Sequence, residues 1–337
     1  MKAILSLVIG CFIEKLLFVF PFKDFSGDVV MKYHPGLKRE TEHAFVREEK
    51  QNIYDWARDV VDDREVGLTV GGHNRGRLGV VYEGKQDCHL INLDNNFYLL
   101  LEGSARHPNI HHVEANGSNI PLKNNSVDFT LCSEVIEHNF YPERIIDEIS
   151  RVLKPGGHFI LTTPAANLLR RIFYRSRYMI TGDPSNLWEV RSSYRSPERL
   201  REDYDDISDG HIYEGFALST LVNWLRDRNF RVLKTRYFPV RKLNKLLSRE
   251  PIIKWAVNLV PKLDPFKRCL VGGIQILARK IEGSKFKDSS VGFPDKWTEL
   301  LKCSSCNGDL NASGDVLECK NCSTQFPVTD QVVRFIG

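Results

Sequence analysis

Four cysteines near the C-terminus carry the most pointed chemistry in the protein. They form Cys303-x-x-Cys306 and Cys319-x-x-Cys322, with twelve residues between the pairs. Two such turns bring four thiolates to the corners of a tetrahedron, the donor set of a closed structural zinc site. Asn307, Gly308 and Asn321 supply turn residues, and Leu310, Val316, Leu317, Phe326 and Val328 can make a small hairpin core. A module this short buries too little apolar surface to fold alone, so a metal would contribute its folding energy. The same spacing also serves redox-active or disulfide-bonded pairs. The remaining cysteines, Cys11, Cys88, Cys132 and Cys269, are scattered among apolar neighbours. That usage favours a reducing compartment and zinc over a disulfide framework.

A second set of residues lies at what read as strand ends. Val66 to Gly76 is VGLTVGGHNRG, a buried strand running into a glycine-rich turn. Gly71, Gly72 and Gly76 permit close approach of backbone to a ligand. Asp94 closes the next apolar strand eighteen residues past Gly76, where a carboxylate can take a ribose diol. Ser133, Glu134 and Val135 end a fourth strand. Each has a plainer role open to it. Asp94 could cap a helix ahead of Asn95 and Asn96. Glu134, Glu137 and His138 could be helix-start polar groups paired with Arg144 or Arg151.

The run Asn119-Ile-Pro-Leu-Lys-Asn-Asn-Ser-Val-Asp-Phe-Thr-Leu-Cys-Ser-Glu-Val-Ile-Glu-His138, followed by Arg151-Val-Leu-Lys-Pro-Gly-Gly157, resembles class I S-adenosylmethionine-dependent methyltransferases of the type 11 group. The resemblance runs from about Val66 to Pro164, and more weakly to Lys280. It implies S-adenosylmethionine as cofactor, with Gly71, Gly72 and Gly76 beside its amino-acid tail and Asp94 on the ribose. Asn116, followed by Gly117 and Ser118, stands where the family has an acid for the adenine amine, and its amide can accept there. Ser133, Glu134 and Val135 would wall the methyl group. The sequence departs from the family at Thr69, which occupies the acidic position, and at His73, which replaces the second glycine. Methyl transfer is an in-line displacement carried mainly by positioning and water exclusion, so a base is needed only for a weak nucleophile. His138 and His211 are the weak candidates for one, and a structural role for His138 carries more weight. The cysteine segment resembles the zinc-ribbon family of small activator subunits of tRNA and protein methyltransferases. Ser323 and Gln331 stand where that family commonly has glycines.

Positioning these groups requires alternating strands and helices. Helical spacing of Phe45, Ile53, Tyr54, Trp56, Ala57, Val60 and Val61 predicts a helix over 42–63. Strands are expected at 66–70, 88–93, 109–113, 126–133 and 158–163, with a helix over 142–153 stopped by Lys154-Pro-Gly-Gly. A helix over 217–229 and strands at 230–238 and 269–278 follow. The expected class is α/β: a doubly wound, Rossmann-like methyltransferase sheet with a small C-terminal zinc-ribbon domain. The expected organisation is an apolar N-terminal segment (1–40), the methyltransferase domain (41–281) with a substrate lid at about 165–215, a linker (282–296) and the ribbon (297–337).

At 337 residues, 42% hydrophobic and 27% charged, the protein is of ordinary globular composition, which excludes disorder as the default. A net charge of +4 is too small to imply nucleic acid, though it leaves nucleic acid open as a partner. Positive charge concentrates between Arg241 and Arg268, interleaved with Leu243, Leu246, Leu247, Ile252, Ile253 and Trp255. Such a segment can meet a membrane surface or an anionic substrate, or simply be a helix with one core face. The apolar N-terminus is broken by Glu14-Lys15 and is too short for a spanning helix, and the run before Cys11 is short for a lipoprotein signal. A cytosolic cofactor and four free thiolates point to the cytoplasm, with peripheral contact at the inner face of the membrane. The expected activity is methyl transfer, with a lipid-linked or envelope saccharide favoured over RNA or protein as acceptor. Two rivals stand beside it: a catalytically inactive scaffold recruiting a protein partner through the ribbon, and a NAD-dependent oxidoreductase on similar geometry.

Overall fold

The computed structural model describes residues 53–166, 179, 213, 215–239, 271–281 and 292–335. The N-terminal segment, most of the 165–215 insertion including His211, the basic 241–268 segment and most of the 282–296 linker lie outside them. All the described residues belong to one compact unit, Val46–Gly337.

The apolar runs become strands β1 (Val66–Val70), β2 (His89–Asp94), β3 (His111–Glu114), β4 (Val127–Ser133) and β5 (Leu153–Pro164). β6 (Phe230–Pro239) and β7 (Val271–Lys280) complete the first seven. Helices α1 (Arg77–Val81), α2 (Phe97–Arg106), α3 (Pro142–Val152) and α4 (Leu218–Asp227) connect them, after a helical stretch at 53–58. The neighbour order is β6-β7-β5-β4-β1-β2-β3. β1 to β5 run parallel. β7 is antiparallel to both β5 and β6. The turning point of the order lies between β1 and β4, so a crevice opens at the carboxyl ends of those strands.

The central strands are buried on both faces, and alternate residues enter opposite cores. Val66, Leu68 and Val70 of β1 face one core, with Ile91, Leu93, Val113 and the apolar side of α3. The opposite face packs Phe129, Leu131 and Ile160 on Ile53, Ala57, Leu78 and Tyr82.

The residues beyond Gly292 add four strands to the same sheet: β8 (Leu310–Ser313), β9 (Val316–Cys319), β10 (Gln325–Thr329) and β11 (Val332–Arg334). β11 lies parallel to β3, in the register Val332 with His112, Val333 with Val113 and Arg334 with Glu114. The edge of the seven-stranded sheet is thereby covered, removing a row of unpaired amides. Leu300, Leu301, Cys303, Leu317, Phe326 and Val333 join the core on one face of the sheet. Trp297 stacks on His111 (4.5 Å, 9°), and Phe293 stacks on His89 (4.8 Å, 6°).

The expected turn at Lys154-Pro-Gly-Gly is instead part of β5. Leu153 leaves α3 already extended and pairs with Val127, and the register then jumps to Phe129 with His158. The extra residues form an irregularity at which Gly156 takes φ +86°, a conformation that suits glycine. No helix among the described residues is long and apolar enough to cross a membrane.

Candidate functional site

The crevice is built around the turn after β1. Gly71 (φ +67°), His73 (φ +53°) and Gly76 (φ +54°) all have left-handed backbone. A Cβ on Gly71 would lie 2.3 Å from Val135 Cγ2, and one on Gly72 would lie 1.8 Å from Asn92 Oδ1. The glycines therefore let the turn sit flush against the end of β4 on one side and β2 on the other.

Asp94 ties this turn to the next one. Its Oδ2 accepts from the His73 amide at 2.9 Å, and its Oδ1 accepts from the Asn96 amide at 3.0 Å. It is not the cap of α2; Asn96 is, accepting from Leu99 N at 3.2 Å. Each Asp94 oxygen keeps lone-pair capacity beyond these bonds. The His73 ring lies above it, Nε2 4.0 Å from Asp94 Oδ2. Burial is the main cause that depresses the His73 pKa, with Asp94 opposing and Arg75, Arg77 and His138 reinforcing. At neutral pH the ring is uncharged and frames the carboxylate without neutralising it.

The other expected residues lie on the turns that follow β3 and β4. Asn116, exposed, folds its Oδ1 back onto the Ser118 amide (2.9 Å), and Ser118 Oγ accepts from Asn139 Nδ2 (3.1 Å). A Cβ on Gly117 would come within 3.0 Å of Val70, so this turn closes over the end of β1. Ser133 and Glu134 are fixed from β5. Thr162 Oγ1 lies 2.9 Å from Ser133 Oγ and 3.0 Å from Glu134 Oε1, and Thr162 O accepts from Glu134 N at 2.9 Å. Glu134 itself takes φ +57°, strained for a side chain of its size. His138 ends a single 3-10 turn, Ile136–His138, and is exposed.

Several residues of the site went unmarked in the sequence. Asn92, buried in β2, donates to His73 O (2.7 Å) and to His112 Nδ1 (3.2 Å), and so fixes the turn from below. A polar residue inside Leu-Ile-Asn-Leu was the signal available. Asn74 donates to Glu102 of α2. Arg77, buried at the first turn of α1, reaches Ser133 O at 3.4 Å.

The turn over 119–123 is clasped by the C-terminal module. Lys123 N donates to Leu300 O (2.8 Å) and Lys302 N to Pro121 O (3.0 Å). Lys123 also pairs with Asp309 at 2.8 Å. Arg334 at the end of β11 bonds Glu114 Oε2 (2.6 Å) and covers the Phe97 ring (4.1 Å).

In that module all four cysteine sulfurs lie within 4.8 Å of one another, with Cys303 to Cys322 at 3.7 Å and Cys306 to Cys319 at 3.3 Å. A tetrahedral zinc with bonds of about 2.3 Å spaces its sulfurs about 3.8 Å apart, which this quartet fits. Ser323 (φ +56°) and Gln331 (φ +66°) adopt the backbone that glycine would take more readily.

The family described as Methyltransferase domain matches residues 70–161. The demethylmenaquinone methyltransferase of Paenarthrobacter aurescens is 28% identical over 145 residues, 41% of this chain and 56% of that protein. A probable S-adenosylmethionine-dependent methyltransferase of Mycolicibacterium smegmatis is 35% identical over 75 residues, 22% of this chain and 29% of that protein. The chain thus spans about half or less of the length of these relatives. Among solved structures, an S-adenosylmethionine dependent methyltransferase from Mesorhizobium loti aligns with a TM-score of 0.46 at 15% identity, covering 68% of this chain and 97% of that one. The matched segment, residues 70–161, coincides with the strands and turns that build the crevice, and over it the chain is similar to the Methyltransferase domain family.

Proposed function

We propose that the protein transfers a methyl group from S-adenosylmethionine to an acceptor held over the carboxyl ends of β1, β2 and β4. One observation carries this most: Asp94, fixed by two backbone amides, stands beside a turn that only glycine at position 72 allows. Gly71 and Gly72 would lie along the amino-acid tail, Asp94 would take the ribose hydroxyls, and Asn116 to Ser118 would border the adenine. When bound, the cofactor supplies a methyl group already activated on a sulfonium. The protein's residues then orient, exclude water and align the acceptor. A NAD-dependent oxidoreductase fits less well, because an antiparallel β7 stands between β5 and β6 where the dinucleotide fold has parallel neighbours.

The four thiolates are proposed to hold one structural zinc, with no open position and no part in the chemistry. For the acceptor, a lipid-linked or envelope saccharide is favoured, met by a protein working in the cytoplasm at the inner membrane face. The experiment is transfer of tritiated methyl from labelled cofactor to heat-treated cell extract, fractionated into lipid, saccharide, RNA and protein. Label should enter one fraction with the wild-type protein and not with Asp94→Ala. Cofactor binding without transfer to any fraction would favour the scaffold reading, which the substitutions at Thr69 and His73 motivate.

A further inference from the structure

β6 is the outer strand of the sheet at the end opposite the cysteine module, and its exposed residues interleave cationic and apolar side chains. The register with β7 sets Arg231 against Arg279 and Val232 against Ala278, then Lys234 against Leu277 and Arg236 against Gln275. Leu233 is thus an extra residue, a bulge. Residues opposite one another share a face, and Arg279, Leu277 and Gln275 alternate along β7. The bulge therefore brings Lys234 and Arg236 onto the face of Arg231, where Leu233 and Thr235 would otherwise stand. Arg231 lies directly opposite Arg279, and like charges so placed repel. Among the described residues only Lys234 of the three β6 cations has an acidic partner, Asp59 at 3.5 Å. Leu233 (39% exposed) and Tyr237 (40%) add apolar surface to the same edge. So does Ile281 (44%), whose amide bonds Asn229 O just before β6. β6 runs in the direction of β5, so Arg236 and Tyr237 stand level with Thr162 and Thr163 at the crevice end of the sheet.

The composition separates the occupants open to such an edge. A second copy paired along β6 would set cation against cation. An extended peptide would meet a bulge and a charged rim, the devices that blunt strand addition. A nucleic acid would match the cations but gain little from Leu233 and Ile281. An anionic bilayer surface matches both, with charge for the arginines and lysine and an interfacial zone for leucine, isoleucine and tyrosine. We propose that the β6 edge is the surface by which the protein lies on an anionic membrane. Arg231, Lys234 and Arg236 would meet lipid phosphates, with Leu233, Tyr237 and Ile281 at the headgroup boundary. This deepens the reading of an acceptor met at the membrane face and rests on it.

The test is sedimentation of the full-length protein with vesicles of phosphatidylcholine, alone or with about one-third phosphatidylglycerol. The wild type should bind the anionic vesicles, release them in high salt and ignore the neutral ones. A triple variant, Arg231→Gln with Lys234→Gln and Arg236→Gln, should weaken anionic-vesicle binding at least about tenfold. Leu233→Ser should weaken it about threefold or more. All four residues are exposed, so both variants should keep the wild-type unfolding midpoint. Undiminished binding by the triple variant overturns this surface, passes the contact to the basic segment between Arg241 and Arg268, and leaves the membrane reading standing. Equal binding of neutral and anionic vesicles also overturns it. Binding of single-stranded RNA that the triple variant abolishes, while its vesicle binding persists, assigns the edge to nucleic acid instead. Failure of the wild type to bind any vesicle overturns both the surface and the membrane reading.

Discussion

Gly72 is the residue on which the cradle depends most directly. A methyl group there would lie 1.8 Å from Asn92 Oδ1, and Asn92 cannot turn away without abandoning His73 O and His112 Nδ1. Gly72→Ala should therefore cost about 2 kcal/mol or more of stability by denaturant unfolding, from overpacking against a fixed polar group. Adding Asn92→Ala removes the tighter of two clashes and leaves Thr69 Cγ2 at 2.8 Å, so the double variant should lose less than the two single losses combined. At the same scale, Ser323 and Gln331 hold left-handed backbone in the cysteine module. Ser323→Gly and Gln331→Gly should each stabilise by up to about 1 kcal/mol, read as a higher unfolding midpoint of the zinc-loaded protein. The residue scale was also where the sequence was most informative. Gly71, Asp94, Ser133 and Glu134 stand at or just past the strand ends where the sequence placed them. Arg77 and Asn92 were not legible, because their roles come from which carbonyls and rings the fold brings beside them.

The decisive element is β11. Apolar runs and turn signals predicted β1 to β4, β6 and β7 within two residues, since a buried parallel strand needs a continuous apolar run, but missed the first five residues of β5, where a proline and two glycines read as a turn. They could not predict that Val332–Arg334, only three residues long, pairs with β3. Pairing between distant edges leaves no periodic trace. Because β11, the clasp at 119–123 and the cysteine quartet form one module, metal loss should be felt at the crevice. Chelation of zinc, or Cys319→Ser, should release about one metal equivalent and speed amide hydrogen exchange in β3 and at Leu122; exchange confined to the cysteine turns would contradict the coupling. The same junction should be acid-sensitive. Burial is the first cause that lowers the His111 pKa to about 4, with His89 and His112 adding repulsion. Burial likewise lowers His112 to about 4. Unfolded, both rings take up protons below about 6.5, while folded they resist until about 4. The unfolded state binds more protons in that window, so stability falls as pH drops through it, by about 1.4 kcal/mol per pH unit for each ring. Unfolding midpoints measured from pH 7 to 4.5 should show that slope, reduced in His111→Phe.

At the scale of the molecule, the sheet order places the ends of β1, β2, β3 and β4 around one crevice and lays a four-thiolate module along its β3 edge. The Gly71 turn, Asp94, Asn116–Ser118 and Ser133–Val135 lie at the carboxyl ends of β1, β2, β3 and β4. The expected lid, the basic segment and His211 lie outside the described residues. The central claim concerns the cofactor alone, and calorimetric titration of the full-length protein with S-adenosylmethionine tests it most directly. One site per molecule should saturate in the micromolar range, with Asp94→Ala weakening it at least about tenfold. No heat at millimolar cofactor, or an affinity indifferent to Asp94, would contradict it.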